Sequence, residues 1–576
     1  MIIQALNEHY ERLKGMPGEK VPLQGLSREK VQFEFVLNTR GELLQVNDLR
    51  DEKRAPKLLV IPEPVKRSVN IAANFLCDST GYVLGRDSDE KEKSLRDSKR
   101  TRKTFEEFKR LHHEIGDDLD DAGMKAVLRF VDNWNPDDLE SSPCWPFWKD
   151  LAGTKIVFRL DGDREYLHER PAIEKTWLEH YREKSSDYRA CCLATGQQGP
   201  IARLHNSIKG VQNPTRSSGA NIISNNLPAF CSYGKEQSFN GPVSEQAMFN
   251  YTTALNHLLR KESRQRVQIG DATTVFWAEG ETPVLGFLKD ILDPHEGSQD
   301  VSDIRLFLEA VRDGKKTDPP GTESLKFYIL GLAPNAARLS IRFWHVSTVE
   351  DVTRRLGQHF QDLRITRDFP DKQPDYPGMW QLLHVTALRG QSENISPLLA
   401  GAVMRSILTG AEYPRILLTA TVERIRAERE IGYLRAALIK AYLVRKNRIQ
   451  RLGMKEVNMS LDREQSDTGY LLGRLFAVLE KAQKQAIPGA NTTIKDRFYS
   501  SASATPSVVF PQLMRLTQHH IQKPSFGGYL DRMIGEIADG VERFPSHLSL
   551  DAQGMFALGY YHQKQELYKK VEKKEE

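Results

Sequence analysis

The sequence predicts an α+β fold, a mixed α/β N-terminal body followed by an all-α C-terminal helical bundle. Three observations predict it. Strand-like and helical runs mix through the first 345 or so residues. Asp368 to Pro377 then carries three prolines in ten residues, which marks a linker. Beyond it, apolar residues recur at helical spacing with short gaps, as in an antiparallel bundle. The expected domains are therefore 1–367, a linker at 368–377, and 378–576.

In chain order, 1–15 reads as a helix because Ile2, Ile3, Leu6, Tyr10 and Leu13 fall near helical spacing, and 100–116 reads as a second. Residues 30–62 read as strands. Val31 to Leu37 alternates, and a turn at Thr39-Arg40-Gly41 leads into another run. Lys155–Leu160, Asp161-Gly162-Asp163 and Arg164–Leu167 read as a hairpin through Asp-Gly. Residues 325–345 give two strands around Pro334-Asn335. The stretch 421–455 reads as one long basic helix. Leu471, Leu472, Leu475, Phe476 and Leu479 form one apolar face, with Ser466 or Asp467 as N-cap and Pro488-Gly489 as the stop. Helices follow at 506–522, 527–541 and 549–570.

The 576 residues suit two to four domains, and 39% hydrophobic with 28% charged residues is ordinary for a globular protein. No run reaches the roughly 18 apolar residues of a membrane helix. The first residues lack the three-part pattern of a secretory signal, so a cytoplasmic protein with no membrane partner is expected. The five cysteines form no Cys-x-x-Cys pair and are expected to be reduced. Net charge is only +5, so the distribution of charge matters more than the total.

Catalytic signatures are missing. There is no phosphate loop, no His-Glu-x-x-His helix and no Gly-x-Ser-x-Gly elbow. Asp161 and Asp163 suit either magnesium or a polar turn tip. His113 and Asp117 suit a shared helix face that Gly116 is ending, and the adjacent His519 and His520 cannot chelate as an i, i+4 pair. No enzyme, catalytic residue, cofactor or metal is expected. Two alternatives stay open: a metal-dependent nucleic-acid enzyme with carboxylates gathered from distant segments, and a scaffold that binds only protein.

Four segments suit phosphate or base contact. Lys66 and Arg67 lead to Asn74; the cations suit phosphates and the carboxamide suits a base edge, while a capped buried turn is the competing reading. Gln197 and Gln198, bounded by glycines, precede Arg203, His205 and Lys209 and suit a groove or an ordinary polar turn. Ser217 to Asn226 and Ser232 to Gln237, flanked by Phe230 and Tyr233, suit a surface that tracks a backbone, or a plain loop; Asn226 and Lys235 are its candidate contacts. The basic run, including Arg445, Lys446 and Arg448, suits a polyanion or an acidic protein neighbour.

The ensemble resembles a known family. The blocks that carry the likeness are Arg67-Ser68 with Asn74–Asp78 and Tyr82–Gly85; Cys192–Gly196 with Ile201–His205 and Lys209–Val211; Ala229-Phe230 with Ser232–Gly234; Tyr251–Asn256; Gly331–Ser340; and Phe556–Gln563. They occur in order along nearly the whole chain. They resemble the CRISPR-associated large subunit of the type I-C (Dvulg subtype) Cascade complex. The resemblance implies a subunit beside the one that holds the guide 5′ end. It implies recognition of the protospacer-adjacent motif in double-stranded target DNA, help in opening the duplex and forming the R-loop, and recruitment in trans of a helicase-nuclease. The crRNA and the backbone, guide-5′-end and small subunits are the implied partners. Protein then reads a few base pairs while RNA pairing reads the rest. The resemblance also implies an internal start at Met454 or Met459 giving a separate small subunit, 454–576 or 459–576. Motif position assigns recognition to Lys66, Arg67 and Asn74, and strand separation or backbone contact to Gln197, Gln198, Lys209, Asn226 and Lys235. Asn225 departs from the family pattern, where an aromatic residue is expected before Asn226.

Overall fold

The computed structural model describes all residues except 17–20, 66, 68–70, 89–94, 97–98, 184, 212–218, 270–271, 283, 286–287, 289–308, 311–321, 337, 392–393, 490, 522–526 and 570–576. The chain is α+β and divides into two units. One comprises 1–207 and 223–257, the other 208–222 and 258–576. The division therefore falls near residue 258, not at the proline-rich stretch. That stretch is packed within the second unit, where the Tyr433 hydroxyl donates to the Pro374 carbonyl at 2.8 Å and Tyr376 meets Phe360 edge-on.

The first unit opens with helix α1 (Ile2–Gly15), which buries Leu6, Tyr10 and Leu13 as its spacing predicts. Strands β1 (Leu26–Val31), β2 (Phe33–Leu37), β3 (Leu43–Asp48), β4 (Lys57–Pro62), β5 (Cys77–Ser79) and β6 (Lys155–Leu160) follow. The alternating run at 31–37 serves two sheets. β1 pairs with β4, while β2 lies inside a sheet of order β3-β2-β6-β5. Gln32 is the break: its carbonyl accepts from Leu49, and its side-chain oxygen accepts from the Lys155 amide at 3.0 Å. The Asp-Gly turn after β6 does not make a hairpin. β6 pairs in parallel with β2 and antiparallel with β5. A parallel partner more than a hundred residues away leaves no trace in local spacing.

Pleating sends Phe33, Phe35 and Leu37 to one face of β2. There they join Phe158 and the helices α2 (Lys99–Gly116), α3 (Ala122–Asn133) and α4 (Pro171–Glu183) in one core. The other face carries Glu34, which accepts from Arg159 and Asn47 at 2.6 Å each. Asp121 caps α3 by accepting from the amides of Gly123 and Met124. Asp163 pairs with Arg170 at 2.6 Å, and His113 lies between Asp117 (2.7 Å) and Asp132 (3.0 Å).

His112 is fully buried. Its Nε2 accepts from the Leu76 amide at 3.0 Å, and Phe75 stacks on it. Burial lowers its pKa from 6.5 to about 4, against a partly opposing bond to the Phe108 carbonyl. Unfolded, it takes a proton near pH 6.5. The stability it contributes is therefore complete above pH 6.5 and is lost as pH falls from there towards 4. We expect the loss to approach about 3 kcal/mol. Denaturant unfolding between pH 7.5 and 4.5 checks this, with a flatter dependence in His112→Gln.

Later in the first unit come the short hairpin β7 (Arg189–Cys191) and β8 (Gln198–Pro200), then α5 (Glu245–Leu258). The second unit holds an antiparallel sheet in sequential order: β9 (Arg266–Ile269), β10 (Ala272–Ala278), β11 (Lys326–Asn335) and β12 (Arg338–Thr348). β11 ends and β12 begins just after Pro334-Asn335, where the sequence predicts two strands to meet. Helices α6 (Val349–Leu363), α7 (Pro397–Thr409), α8 (Arg415–Glu428), α9 (Tyr433–Gln450), α10 (Thr468–Ala486), α11 (Ile494–Ala502), α12 (Pro506–Ile521), α13 (Gly527–Asp539) and α14 (Leu550–Tyr568) pack with that sheet around one core. Asp467, one of the two predicted caps, accepts from the Tyr470 amide at 3.0 Å. The predicted long basic helix is two helices. Arg429, in the left-handed region (φ 56°), ends α8, and Gly432 starts α9.

Candidate nucleic-acid interface

The first basic segment folds inward. Arg67 donates to both carboxylate oxygens of Asp78 and, through Nε, to the Ala72 carbonyl at 2.6 Å; its guanidinium lies 3.7 Å from the Tyr82 ring centroid. Asp78 also accepts from the Asn74 amide at 2.8 Å. Asn74 is 5% exposed, and its side-chain oxygen accepts from the Val65 amide at 2.9 Å. Asn74 is thus the cap of a buried turn. Lys66 lies outside the described residues. Asn74→Ala is expected to destabilise the first unit by about 1–2 kcal/mol, because the Val65 amide loses its partner. Urea unfolding checks this.

The second segment stands outward. β7 and β8 are joined by a turn in which Gly196 takes φ +72° with open space around it, and Gln197 and Gln198 are exposed there. The hairpin is fixed from behind: the Leu193 amide donates to the Pro242 carbonyl, Ala202 to Val243, and the Ser244 amide to Cys192 Sγ at 3.2 Å. Gln197 and Gln198 also line a cleft of ≈660 Å³ together with Asn7, Glu11, Gln246 and Asn250. Carboxamides form a chain there. Gln246 donates to Asn250 at 2.7 Å, and Asn250 donates to Asn7 at 2.9 Å and to Glu11 at 3.0 Å. Carboxylates in such a wall repel phosphate, whereas amides offer both donor and acceptor to a base edge.

Asn226 and Lys235 are exposed in the first unit, and Lys209 is exposed in the second. Gly210, next to Lys209, takes φ +89°, and a Cβ there would lie 2.6 Å from the Leu259 carbonyl oxygen. Only glycine fits that close approach. The loop that carries Lys235 is clamped by Asn240. Its side-chain oxygen accepts from the Ser232 amide at 2.9 Å, and its nitrogen donates to the carbonyls of Lys235 (2.8 Å) and Gln237 (3.0 Å).

Composition carries one further signal that the motifs do not. Residues 188–235 contain no Asp or Glu and five Lys or Arg, in a chain with 77 acids. Within the folded unit, however, Glu11 and Glu245 stand beside its hairpin and Glu63 accepts from Asn206, so its cations are not free of carboxylate neighbours.

In the fourth segment, the basic run, the cations around Arg445 are paired inward. Arg445 is 1% exposed; it donates to Asp362 at 2.9 Å and to the Ser406 carbonyl at 3.1 Å. Arg448 grips both oxygens of Asp362 at 2.9 and 2.8 Å, and Lys446 pairs with Asp551. Lys440 donates to the Asp362 carbonyl, and Arg435 pairs with Glu428. Arg445 is therefore out of reach of a polyanion, and all three charges bind carboxylates supplied by other helices.

The chain matches, over residues 6–568, the family model described as CRISPR-associated protein (Cas_Csd1), and it belongs to that family. No curated protein matches it. Among the described residues no helix is long and apolar enough to cross a membrane. Two of the sequence blocks that carry the likeness prove to be packing sites: Arg67 with Asn74–Asp78 at the capped turn, and Phe556–Gln563 on α14, where that helix crosses α10.

Proposed function

We propose that this CRISPR-associated protein is the large subunit of a crRNA-guided type I-C Cascade complex. In this reading it senses the protospacer-adjacent motif in duplex DNA, promotes opening of the duplex and R-loop formation, and helps recruit a separate helicase-nuclease, without cutting DNA itself. Match to one family over residues 6–568 carries the reading. The absence of acids from 188–235 and the exposure of Gln197, Gln198, Asn226 and Lys235 support it. On the first unit, Gln197 and Gln198 project from a clamped hairpin and suit a base edge, and Asn226 and Lys235 suit the backbone; Lys209, on the second unit, suits the backbone separately. Arg67 and Asn74 act one step removed, by holding the turn that follows the basic segment. Strand opening is a near-balanced exchange, so a few such contacts tip it.

A separate small subunit starting at Met454 or Met459 belongs to the same proposal. The region after Met459 contains α10 to α14, which bury their largest shared face within that region. It would lose the bond between the Thr366 amide and the Met459 carbonyl (2.9 Å).

The test is R-loop formation by the assembled guide complex on a matched target, followed by strand-specific permanganate footprinting. Gln197→Ala/Gln198→Ala is expected to slow opening about tenfold or more with the complex intact, since each good carboxamide–base contact is worth roughly 1–3 kcal/mol. Opening at the wild-type rate would remove these residues from the mechanism.

A further inference from the structure

Among the described residues, Tyr233 is the most exposed large hydrophobic residue, 97% accessible. Surface tyrosines ordinarily lay one face on neighbours. This one makes no hydrogen bond or ring contact among the described residues. Its backbone is also in an unusual place. Tyr233 has φ +51° and Gly234 φ +68°, with the Lys235 amide donating to the Ser232 carbonyl at 2.9 Å. Two successive positive φ values across a two-residue turn make a type I′ turn, which favours Asn or Gly at the position tyrosine holds. A bulky residue there carries conformational strain, and strained positions persist where the surroundings over-determine them.

The surroundings do so here. Asn240 ties both ends of the turn, and Gln237, itself at φ +48°, accepts from Arg203 at 3.0 Å. Phe239 packs on Tyr188 with ring centroids 4.5 Å apart, which seats the loop. The result is a flat aromatic ring on a stiff stalk, at the end of the stretch without acids and two residues from exposed Lys235. A rigid, fully exposed aromatic tip suits an unpaired base, because each base offers a π-face; Lys235 can meet a neighbouring phosphate, while exposed Glu236 beside it keeps the contact from being mainly electrostatic. Leu227 and Phe230 are exposed in the same loop but are partly covered, whereas the Tyr233 ring stands clear, as a stacking surface does.

We propose that Tyr233 is a stacking platform for one unpaired base of the opened target DNA. This rests on the DNA-sensing function proposed above and adds a residue and a ligand class to it. Because the ring stacks and does not read an edge, the contact is indifferent to base identity. It holds a base after opening, where the glutamines act during it.

The experiment uses the full guide complex and a target carrying a preformed bubble, with 2-aminopurine stepped through the unpaired positions of each strand. Wild type is expected to quench the probe most strongly at one position. Tyr233→Ala is expected to lose that quench and weaken bubble binding about tenfold, while Tyr233→Phe and Tyr233→Trp keep both. If Tyr233→Ala quenches and binds like wild type, the stacking role is overturned and DNA sensing stands. If Tyr233→Ala drops out of the complex while its residual DNA binding is unchanged, the ring is a protein contact and the proposal fails. If wild type itself binds neither bubble nor duplex, the sensing function fails and takes the platform with it.

Discussion

Gly473→Ala is expected to destabilise the second unit by about 3 kcal/mol or more, at the upper end of what added core methyl groups do. Helices α10 and α14 meet backbone to backbone. A Cβ on Gly473 would lie 2.0 Å from the Phe556 carbonyl oxygen, and one on Gly559 would lie 2.0 Å from that of Tyr470. A third close approach, Gly469 against the Ala552 carbonyl at 2.4 Å, extends the contact. Main-chain oxygens cannot swing aside as a side chain does, so the helices must separate. Separation also pulls apart the buried polar pairs between them: Tyr470 with His562 (2.9 Å), Arg474 with Gln563 (3.1 Å), and Tyr560 with Glu480. Gly535, on α13 with open space around it, is the control. Gly535→Ala should be neutral or stabilising by up to about 1 kcal/mol. Urea unfolding of both variants checks the contrast.

Asp362→Asn is expected to cost about 3–5 kcal/mol, the range for stranding a buried charge. Asp362 and the Arg445 side chain are each 1% exposed, and the guanidinium lies 4.1 Å from the Tyr413 ring centroid with no route to water. Arg448 and Gln358 complete the ring of donors on the same carboxylate. With a neutral amide in place of the carboxylate, Arg445 stays buried without its counter-charge. Removing both charges together, as Asp362→Leu/Arg445→Met, should recover much of the loss, because the desolvation of both groups disappears with them. Unfolding of the single and double variants measures the coupling. A double variant no better than Asp362→Asn would show that the ion pair is not what the single change breaks.

Elements whose signal is local were legible in the sequence. The strand pair around Pro334-Asn335, the Asp467 cap and the apolar face Leu471–Leu479 each need only neighbouring residues, and each is where the spacing places it. Elements settled by distant partners were not. β6 ends in an Asp-Gly turn yet pairs with β2, because Phe158 is needed in the core beside Phe35. The basic run around Arg445 carried a strong charge signal, but nothing nearby announced that its counter-charge is Asp362, eighty-three residues earlier. Asn74 was balanced between base reader and turn cap; only the Val65 amide, nine residues back, shows the cap. At the candidate interface the composition was readable, since glutamines between glycines do stand exposed. The clamp that stiffens Tyr233 was not, because Asn240 looks like any polar loop residue until its three hydrogen bonds are seen.

In the proposed function, this chain makes recognition of the flanking motif possible. Duplex-DNA affinity of the guide complex, assembled with and without the chain, measures it most directly. The targets should differ only at the flanking motif, at one fixed salt concentration, because phosphate contacts alone shift affinity strongly with salt. The expected result is motif-dependent affinity only when the chain is present, with no DNA cut. Affinity indifferent to both chain and motif would contradict it.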